Sequence, residues 1–86
     1  MKIKKEFELR NVCGEQTLVP VGDTATTFKG LITINNIGHF IWENLEKVDT
    51  EEEIVSMIVD KYKLDPNEAK NDVDDFLKYL RNVDII

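Results

Sequence analysis

Apolar residues along this chain of 86 residues change their spacing near Asn35. Before that point they tend to alternate with polar residues, which is typical of a strand with one buried face. After it they recur at every third or fourth position, which is typical of amphipathic helices. A chain of this length has room for one core, so both parts must pack into a single domain over residues 1–86. The change in spacing therefore predicts a sheet followed by a helical layer.

The first two predicted strands form a hairpin. Phe7–Val12 alternates apolar and polar side chains strictly. Cys13–Glu15 supplies a short turn, in which a glycine can adopt a positive φ. Gln16–Val21 is the predicted return strand, and Pro20 marks either its end or an exposed edge.

A third strand is predicted over Phe28–Ile34, after a polar surface loop at residues 22–27. Its one charged residue is Lys29, and no proline protects it. An open sheet leaves an unpaired edge, which must be covered or can accept another strand. The sequence leaves both readings open: helices of the same chain cover this strand, or it pairs with an extended peptide.

Helix start signals divide the remaining residues into three helices. Asn35 or Asn36 can cap the first, and Thr50 with Glu53 forms a capping box for the second. The apolar faces of these two helices are Ile37, Phe40, Ile41, Trp42, Leu45 and Val48, and then Ile54, Val55, Met57, Ile58, Val59 and Tyr62.

The third predicted helix spans about residues 66–82. Asp65 can cap it, Pro66 suits its first position, and Glu68 completes the capping box. Asn82 lies where a left-handed residue would end the helix. The predicted inner face is Ala69, Val73, Phe76, Leu77 and Leu80. Three antiparallel strands followed by three helices predict an α+β fold of winged-helix-like type.

Charge argues against nucleic acid as a partner. The chain has a formal charge of −6, whereas nucleic-acid binding relies on a basic surface. The excess is uneven: residues 1–42 carry five basic and four acidic side chains, and residues 43–86 carry six and thirteen. The acidic excess therefore belongs to the predicted helices, while the sheet is nearly neutral.

Catalytic and metal-binding patterns are poorly represented. The one histidine, His39, is predicted to be a partly exposed helix residue, and the one cysteine, Cys13, to be an unreactive turn residue. The acidic run Glu51–Glu53 resembles a calcium ligand set, but helix capping explains it without a metal. The sequence thus predicts a protein that is not an enzyme and needs no cofactor or metal.

The longest apolar runs span a few residues, far fewer than the roughly 20 that cross a bilayer. A single cysteine cannot form an intramolecular disulfide, and no secretory apolar segment follows the N-terminal lysines. We expect a cytoplasmic protein without a membrane partner.

Several motifs together resemble the coenzyme PQQ synthesis protein D (PqqD) family, from about residue 7 to the end of the chain. The most specific stretch is Asn35–Leu45, which contains the only tryptophan. The motifs are Phe7-x-Leu9-Arg10-x-Val12, Leu18-Val19-Pro20, Phe28-x-Gly30-Leu31, Ile34-Asn35-x-x-Gly38-x-x-Ile41-Trp42-Glu43-x-Leu45, Thr50-x-Glu52-Glu53-Ile54-Val55, Tyr62-x-Leu64-Asp65 and Asp72-Val73-x-x-Phe76-Leu77-x-x-Leu80.

The resemblance implies a non-catalytic peptide chaperone. Such domains recognise the leader segment of a ribosomally made precursor peptide and present it to a modifying enzyme, often a radical SAM enzyme. They hold the leader as an added strand on the third strand, against the third helix. In this chain the implied peptide-binding residues are Lys29, Leu31, Ile32 and Thr33 on the strand and Val73, Leu77, Lys78, Tyr79 and Arg81 on the helix. The family serves many peptide products, so PQQ itself is not implied.

Two other functions remain possible from the sequence. A winged-helix nucleic-acid binder would need a basic third helix, but Lys70, Lys78 and Arg81 are outnumbered there by acidic residues. An accessory subunit could instead stabilise an enzyme without binding any peptide. Binding of a peptide at the third strand separates the leading interpretation from both.

Overall fold

The computed structural model describes all residues from Met1 to Ile86. Its strands are β1 (Phe7–Val12), β2 (Glu15–Pro20) and β3 (Ile32–Thr33), and its helices are α1 (Thr24–Thr27), α2 (Asn36–Asn44), α3 (Glu51–Tyr62) and α4 (Pro66–Asn82). A 3₁₀ turn at Leu45–Lys47 follows α2. The α+β fold with three antiparallel strands and three long helices is confirmed, and the predicted loop at 22–27 contains one helical turn, α1.

The sheet is antiparallel with the order β1-β2-β3, so β2 is its central strand. Cys13 and Gly14 join β1 to β2 with φ values of 52° and 84°. Two consecutive positive φ angles define the tight turn whose twist suits a two-residue hairpin. The Asn11 side chain accepts a hydrogen bond of 2.9 Å from the Gly14 N–H, which fixes this turn.

β3 is much shorter than the predicted strand over Phe28–Ile34, because only Ile32 and Thr33 pair with β2. The chain leaves α1 at Phe28 and then turns at Gly30, whose φ is 106°. The residues before Ile32 therefore do not run alongside β2 and cannot extend the hydrogen-bond ladder. After Thr33 the Ile34 N–H still donates to the Gln16 carbonyl, at 2.9 Å.

Local side-chain chemistry starts each long helix as the sequence predicts. A polar side chain at each N-terminus accepts a hydrogen bond from a backbone N–H in the first turn, as in an N-cap. The pairs are Asn35 with Gly38 at 2.8 Å, Thr50 with Glu53 at 3.4 Å, and Asp65 with Asn67 at 2.8 Å. These caps set the positions at which the helical layer begins.

The end of α4 differs from the prediction that Asn82 is the left-handed residue. Asn82 is still helical, and Asp84 takes the positive φ of 61°. The Ile85 N–H donates to the Leu80 carbonyl at 2.8 Å, and the Asp84 N–H donates to the Arg81 carbonyl at 3.1 Å. This pair of bonds is the Schellman motif, and it places the turn two residues later than predicted.

The N-terminal segment packs against this end of α4. The Lys4 N–H donates to the Ile85 carbonyl at 2.6 Å, and the Lys4 ammonium lies 3.0 Å from the Asp84 carboxylate. The hydrogen bond from the Lys4 ammonium to the Asp84 carboxylate, together with the charge of Lys4, holds the pKa of Asp84 below its ordinary value. The N-terminal amine of Met1 bonds to the carbonyls of Leu45 and Val48.

One hydrophobic core joins the sheet to the helical layer. Its thirteen buried apolar residues are Leu18, Ile32, Ile34, Ile41, Leu45, Val48, Ile54, Ile58, Ala69, Val73, Leu77, Leu80 and Ile85. Burial of these side chains is the main force that holds β3 against α2 and α4. None of the helices has the length and apolarity needed to cross a membrane.

Candidate functional site between β3 and α4

An open cleft of about 460 Å³ lies between the edge strand β3, the start of α2 and one face of α4. We call it the β3–α4 cleft. Its lining comprises Leu31–Asn35 from β3 and its flanks, Ile37, Gly38 and Ile41 from α2, and Asp72, Asp75, Phe76 and Tyr79 from α4. The floor is therefore mostly apolar, and α4 forms one wall.

The backbone of β3 is unpaired on the side away from β2. Ile34 donates its N–H to β2, and the register pairs Ile32 with Leu18. Because peptide groups alternate in direction along an antiparallel strand, those of Leu31 and Thr33 point outward. Two residues of this edge thus offer donors and acceptors to an incoming strand.

Side-chain exposure along β3 follows the same alternation. Ile32 and Ile34 are buried in the core, whereas Leu31 is 57% exposed. Leu31 therefore exposes apolar surface directly beside an unpaired strand edge.

The structure brings four of the nine predicted site residues together at the cleft. Leu31, Ile32 and Thr33 line it from the strand, and Tyr79, which is 43% exposed, lines it from α4. Lys29 is exposed and precedes the turn at Gly30, so it lies outside the lining.

The other four predicted residues of α4 do not line the cleft. Val73 and Leu77 are fully buried in the core, and the exposed residues Lys78 and Arg81 do not line the cleft. The physical reason is that Ala69, Val73, Leu77 and Leu80 form the stripe that anchors α4 to the fold. The cleft takes the adjacent stripe, Asp72, Asp75, Phe76 and Tyr79.

Sequence reasoning missed the residues that α2 contributes to the floor. Ile37, Gly38 and Ile41 all belong to the Asn35–Leu45 stretch, the most specific part of the family resemblance. Gly38 is buried, and a Cβ at this position would lie 3.2 Å from the Ile34 Cβ atom. A helical glycine next to the cap residue Asn35 was the signal that two elements approach closely here.

The cleft is acidic on its α4 wall. Asp72 and Asp75 are its only charged lining residues, and neither takes part in any ion pair of the structure. The neighbouring Asp74 differs, because Lys70 lies 3.3 Å from it and also 3.6 Å from Glu51. Lys70 and Asp74, four residues apart, therefore form an ion pair, whereas Asp74 and Lys78, which have the same spacing, do not.

Lys70 of α4 lies between Glu51 of α3 and Asp74 of α4, outside the cleft. Hydrogen bonding with the Asp74 carboxylate, burial and the charge of Asp74 raise the pKa of Glu51. Hydrogen bonding with Glu51 and with Lys70 lowers the pKa of Asp74. Asp72 and Asp75 take no part in this cluster.

The other candidate residues lie outside the cleft. His39 pairs with Glu43 at 2.9 Å on the surface of α2, and Cys13 is exposed at the tip of the hairpin. No group of three or more His, Cys, Asp or Glu side chains is placed to hold a metal ion. The structure thus brings together an unpaired strand edge, an apolar floor and an acidic wall.

A three-stranded sheet with an open edge strand, set against a helical layer, defines a small α+β domain. The sequence model of the family described as coenzyme PQQ synthesis protein D (PqqD) matches residues 18–86. The chain belongs to this family. The match begins within β2, so the predicted family motif at Phe7–Val12 lies outside it.

A solved structure supports the same relationship over a longer stretch. It is described as TbiB1 in complex with the TbiA(beta) leader peptide, and it is 27% identical to this chain. The similarity covers 99% of this chain and 93% of that chain, with a TM-score of 0.70. No curated protein matches the chain.

Proposed function

We propose that this protein binds the leader segment of a ribosomally made precursor peptide as an added antiparallel strand on β3. The observation that carries the proposal is the outward-facing backbone of Leu31 and Thr33 next to the β3–α4 cleft. An extended peptide can pair with that edge while its alternate side chains enter the cleft. The related TbiB1 structure, which contains a leader peptide, supports this choice of ligand.

The short edge limits how tightly a leader can bind. Only Thr33 of β3 and the preceding Leu31 direct their backbone outward, so few backbone hydrogen bonds are available, each with a net contribution of about 0.5–1.5 kcal/mol. Apolar side chains of the peptide that pack against the partly exposed Ile37 and Phe76 must supply the rest of the binding free energy. Ordering the peptide opposes both terms, and we expect dissociation constants in the micromolar range, on the order of 1–100 μM.

We assign the chemical step to a partner enzyme, and the domain presents the peptide to it. The class of partner that the family resemblance implies is a radical SAM enzyme, and the cytoplasm is where such a pathway would operate. The domain itself acts as a non-catalytic chaperone in this proposal. The product is a modified peptide whose identity depends on the precursor.

The test is a titration followed by NMR. The ¹⁵N-labelled chain is mixed with synthetic leader segments of the short peptides encoded beside its gene. We expect one of them to shift the amide signals of Leu31–Asn35 and of Phe76 and Tyr79. Shifts confined to α3 or to β1, or no shifts with any neighbouring precursor, would contradict the proposal.

A matched pair of variants tests the added strand directly. Thr33→Pro removes an outward N–H and spares the ladder to β2, whereas Thr33→Val keeps the backbone donor and the branched side chain. We expect Thr33→Pro to abolish binding and Thr33→Val to retain it within about twofold, since Val differs from Thr only in a methyl group that replaces the hydroxyl. Thermal unfolding of both variants verifies that each remains folded.

A further inference from the structure

We infer that the β3–α4 cleft selects leader strands that carry a lysine or arginine on the same face as their apolar anchors. This inference rests on the proposed function and names the chemistry of the ligand. The strand edge and the apolar cleft locate the peptide, and the two unpaired carboxylates of the α4 wall specify its charge.

Both charged side chains that line the cleft are acidic. Asp72 and Asp75 lie three residues apart on α4, so they are neighbours on one helical face. No basic side chain lines the cleft: Lys70 is engaged by Glu51 and Asp74, and Lys78, three residues after Asp75, lies outside the lining and forms no ion pair. A cation from the ligand is therefore the partner that this wall lacks.

Backbone pairing alone cannot select among peptides. The hydrogen bonds to Leu31 and Thr33 are the same for any extended sequence, and β3 offers few of them. Selection must come from the side chains that enter the cleft. In an added strand these are residues i and i+2, about 6.5–7 Å apart.

The geometry of the cleft then defines a short pattern. One inward side chain packs on the apolar floor at Ile37 and Phe76, and the next inward side chain reaches the carboxylates of the wall. The expected pattern is an apolar residue and a basic residue separated by one position. An acidic residue at the second position is repelled by the wall and by the net charge of −6.

The experiment pans a library of random decapeptides against the full chain and against an Asp72→Asn/Asp75→Asn variant. We expect peptides selected by the natural chain to be enriched in Lys or Arg two residues from an apolar residue. The enrichment should disappear with the variant. A second variant, Asp49→Asn/Asp60→Asn, removes two exposed carboxylates outside the cleft and should select the same peptides as the natural chain.

Affinities of one selected peptide and its Arg→Gln version complete the test. Against the natural chain, Arg→Gln should weaken binding about fivefold to tenfold at low salt, and less at high salt. Against Asp72→Asn/Asp75→Asn it should change binding less than about twofold, as expected when the interacting partner has been removed.

The outcomes separate this inference from the proposed function. If selected peptides bind, lose binding with Thr33→Pro, and show no basic enrichment, the charge selection is wrong and strand addition stands. If no selected peptide depends on Thr33, strand addition is wrong. An equal loss of affinity on Arg→Gln with both chains would place the arginine elsewhere and overturn the inference.

Discussion

Gly38 of α2 faces Phe76 of α4 across the floor of the β3–α4 cleft. A Cβ atom on Gly38 would lie 3.5 Å from the Phe76 Cε1 atom and 3.2 Å from the Ile34 Cβ atom. Because Gly38 has no side chain, the end of the third strand, the first turn of α2 and the α4 wall can approach one another closely. The depth of the cleft therefore depends on one glycine.

Filling this position should close the cleft. We expect Gly38→Leu to destabilise the fold by about 1–3 kcal/mol through overpacking and to weaken peptide binding at least tenfold. Gly38→Ala should change stability by less than about 1 kcal/mol, because better helix propensity offsets the tight contact with Ile34. Thermal unfolding and peptide titration measure both effects, and a Gly38→Leu chain that binds like the natural one would show that the floor is not used.

Substitutions on the buried face of α4 should affect stability, and substitutions on its cleft-lining face should affect peptide binding. Leu77→Ala removes a fully buried side chain, and we expect a loss of about 2–5 kcal/mol in the free energy of unfolding. Tyr79→Ala removes an exposed one, and we expect a change below about 1 kcal/mol with a clear loss of peptide affinity. Urea unfolding measures the stability of both variants, and NMR titration measures their affinity for the peptide. A large loss of stability in Tyr79→Ala would contradict the observed phase of the helix.

Two caps with similar geometry differ in their distance from the cleft. Asn35→Ala and Asp65→Ala each remove a cap bond of 2.8 Å, and each should lower stability by about 0.5–2 kcal/mol. Asn35 also orders the turn that forms the cleft floor, whereas Asp65 begins α4 away from it. We therefore expect only Asn35→Ala to weaken peptide binding. Equal peptide affinities of the two variants would show that Asn35 does not contribute to the binding site.

The ion pair between Lys4 and Asp84 should make stability depend on pH. Lys4 lowers the folded-state pKa of Asp84 below its unfolded-state value, so the pair stabilises the fold above the ordinary carboxyl pKa of about 3.9. This contribution is lost as the pH falls through the folded-state pKa. We expect Asp84→Asn to reduce the loss of stability on acidification, measured by urea unfolding between about pH 2 and 7.

Two comparisons identify the cause of that pH effect. Lys4→Gln should reduce it as Asp84→Asn does, because either change breaks the pair. Asp60→Asn, which removes an exposed carboxylate that belongs to no ion pair, should leave it unchanged. An identical acid response in Asp84→Asn and the natural chain would show that the pair does not form in solution.

Elements fixed by local chemistry could be predicted from the sequence. The caps at Asn35, Thr50 and Asp65 need only atoms within three residues of each cap, and the helices start where these residues predict. The turn at Cys13 and Gly14 is local in the same way.

Features that depend on tertiary packing could not be predicted in the same way. The length of β3 depends on how the chain leaves α1 and turns at Gly30, and the pattern of β-branched residues does not report this. The position of the sheet determines which apolar residues of α4 pack into the core and which line the cleft. A single apolar stripe in the sequence therefore did not show that Val73 is buried while Phe76 lines the cleft.

The hydrogen bond from Lys4 to Ile85 brings the two ends of the chain side by side, and neither end contributes to the lining of the cleft. Adjacent surface termini are compatible with insertion of a domain into another protein and with circular permutation. A few added residues would join the ends, and new ends could be opened at the exposed Cys13–Gly14 turn. A segment attached beside Lys4 or Ile85 would therefore leave the β3–α4 cleft uncovered, since the cleft lies on a different surface of the domain.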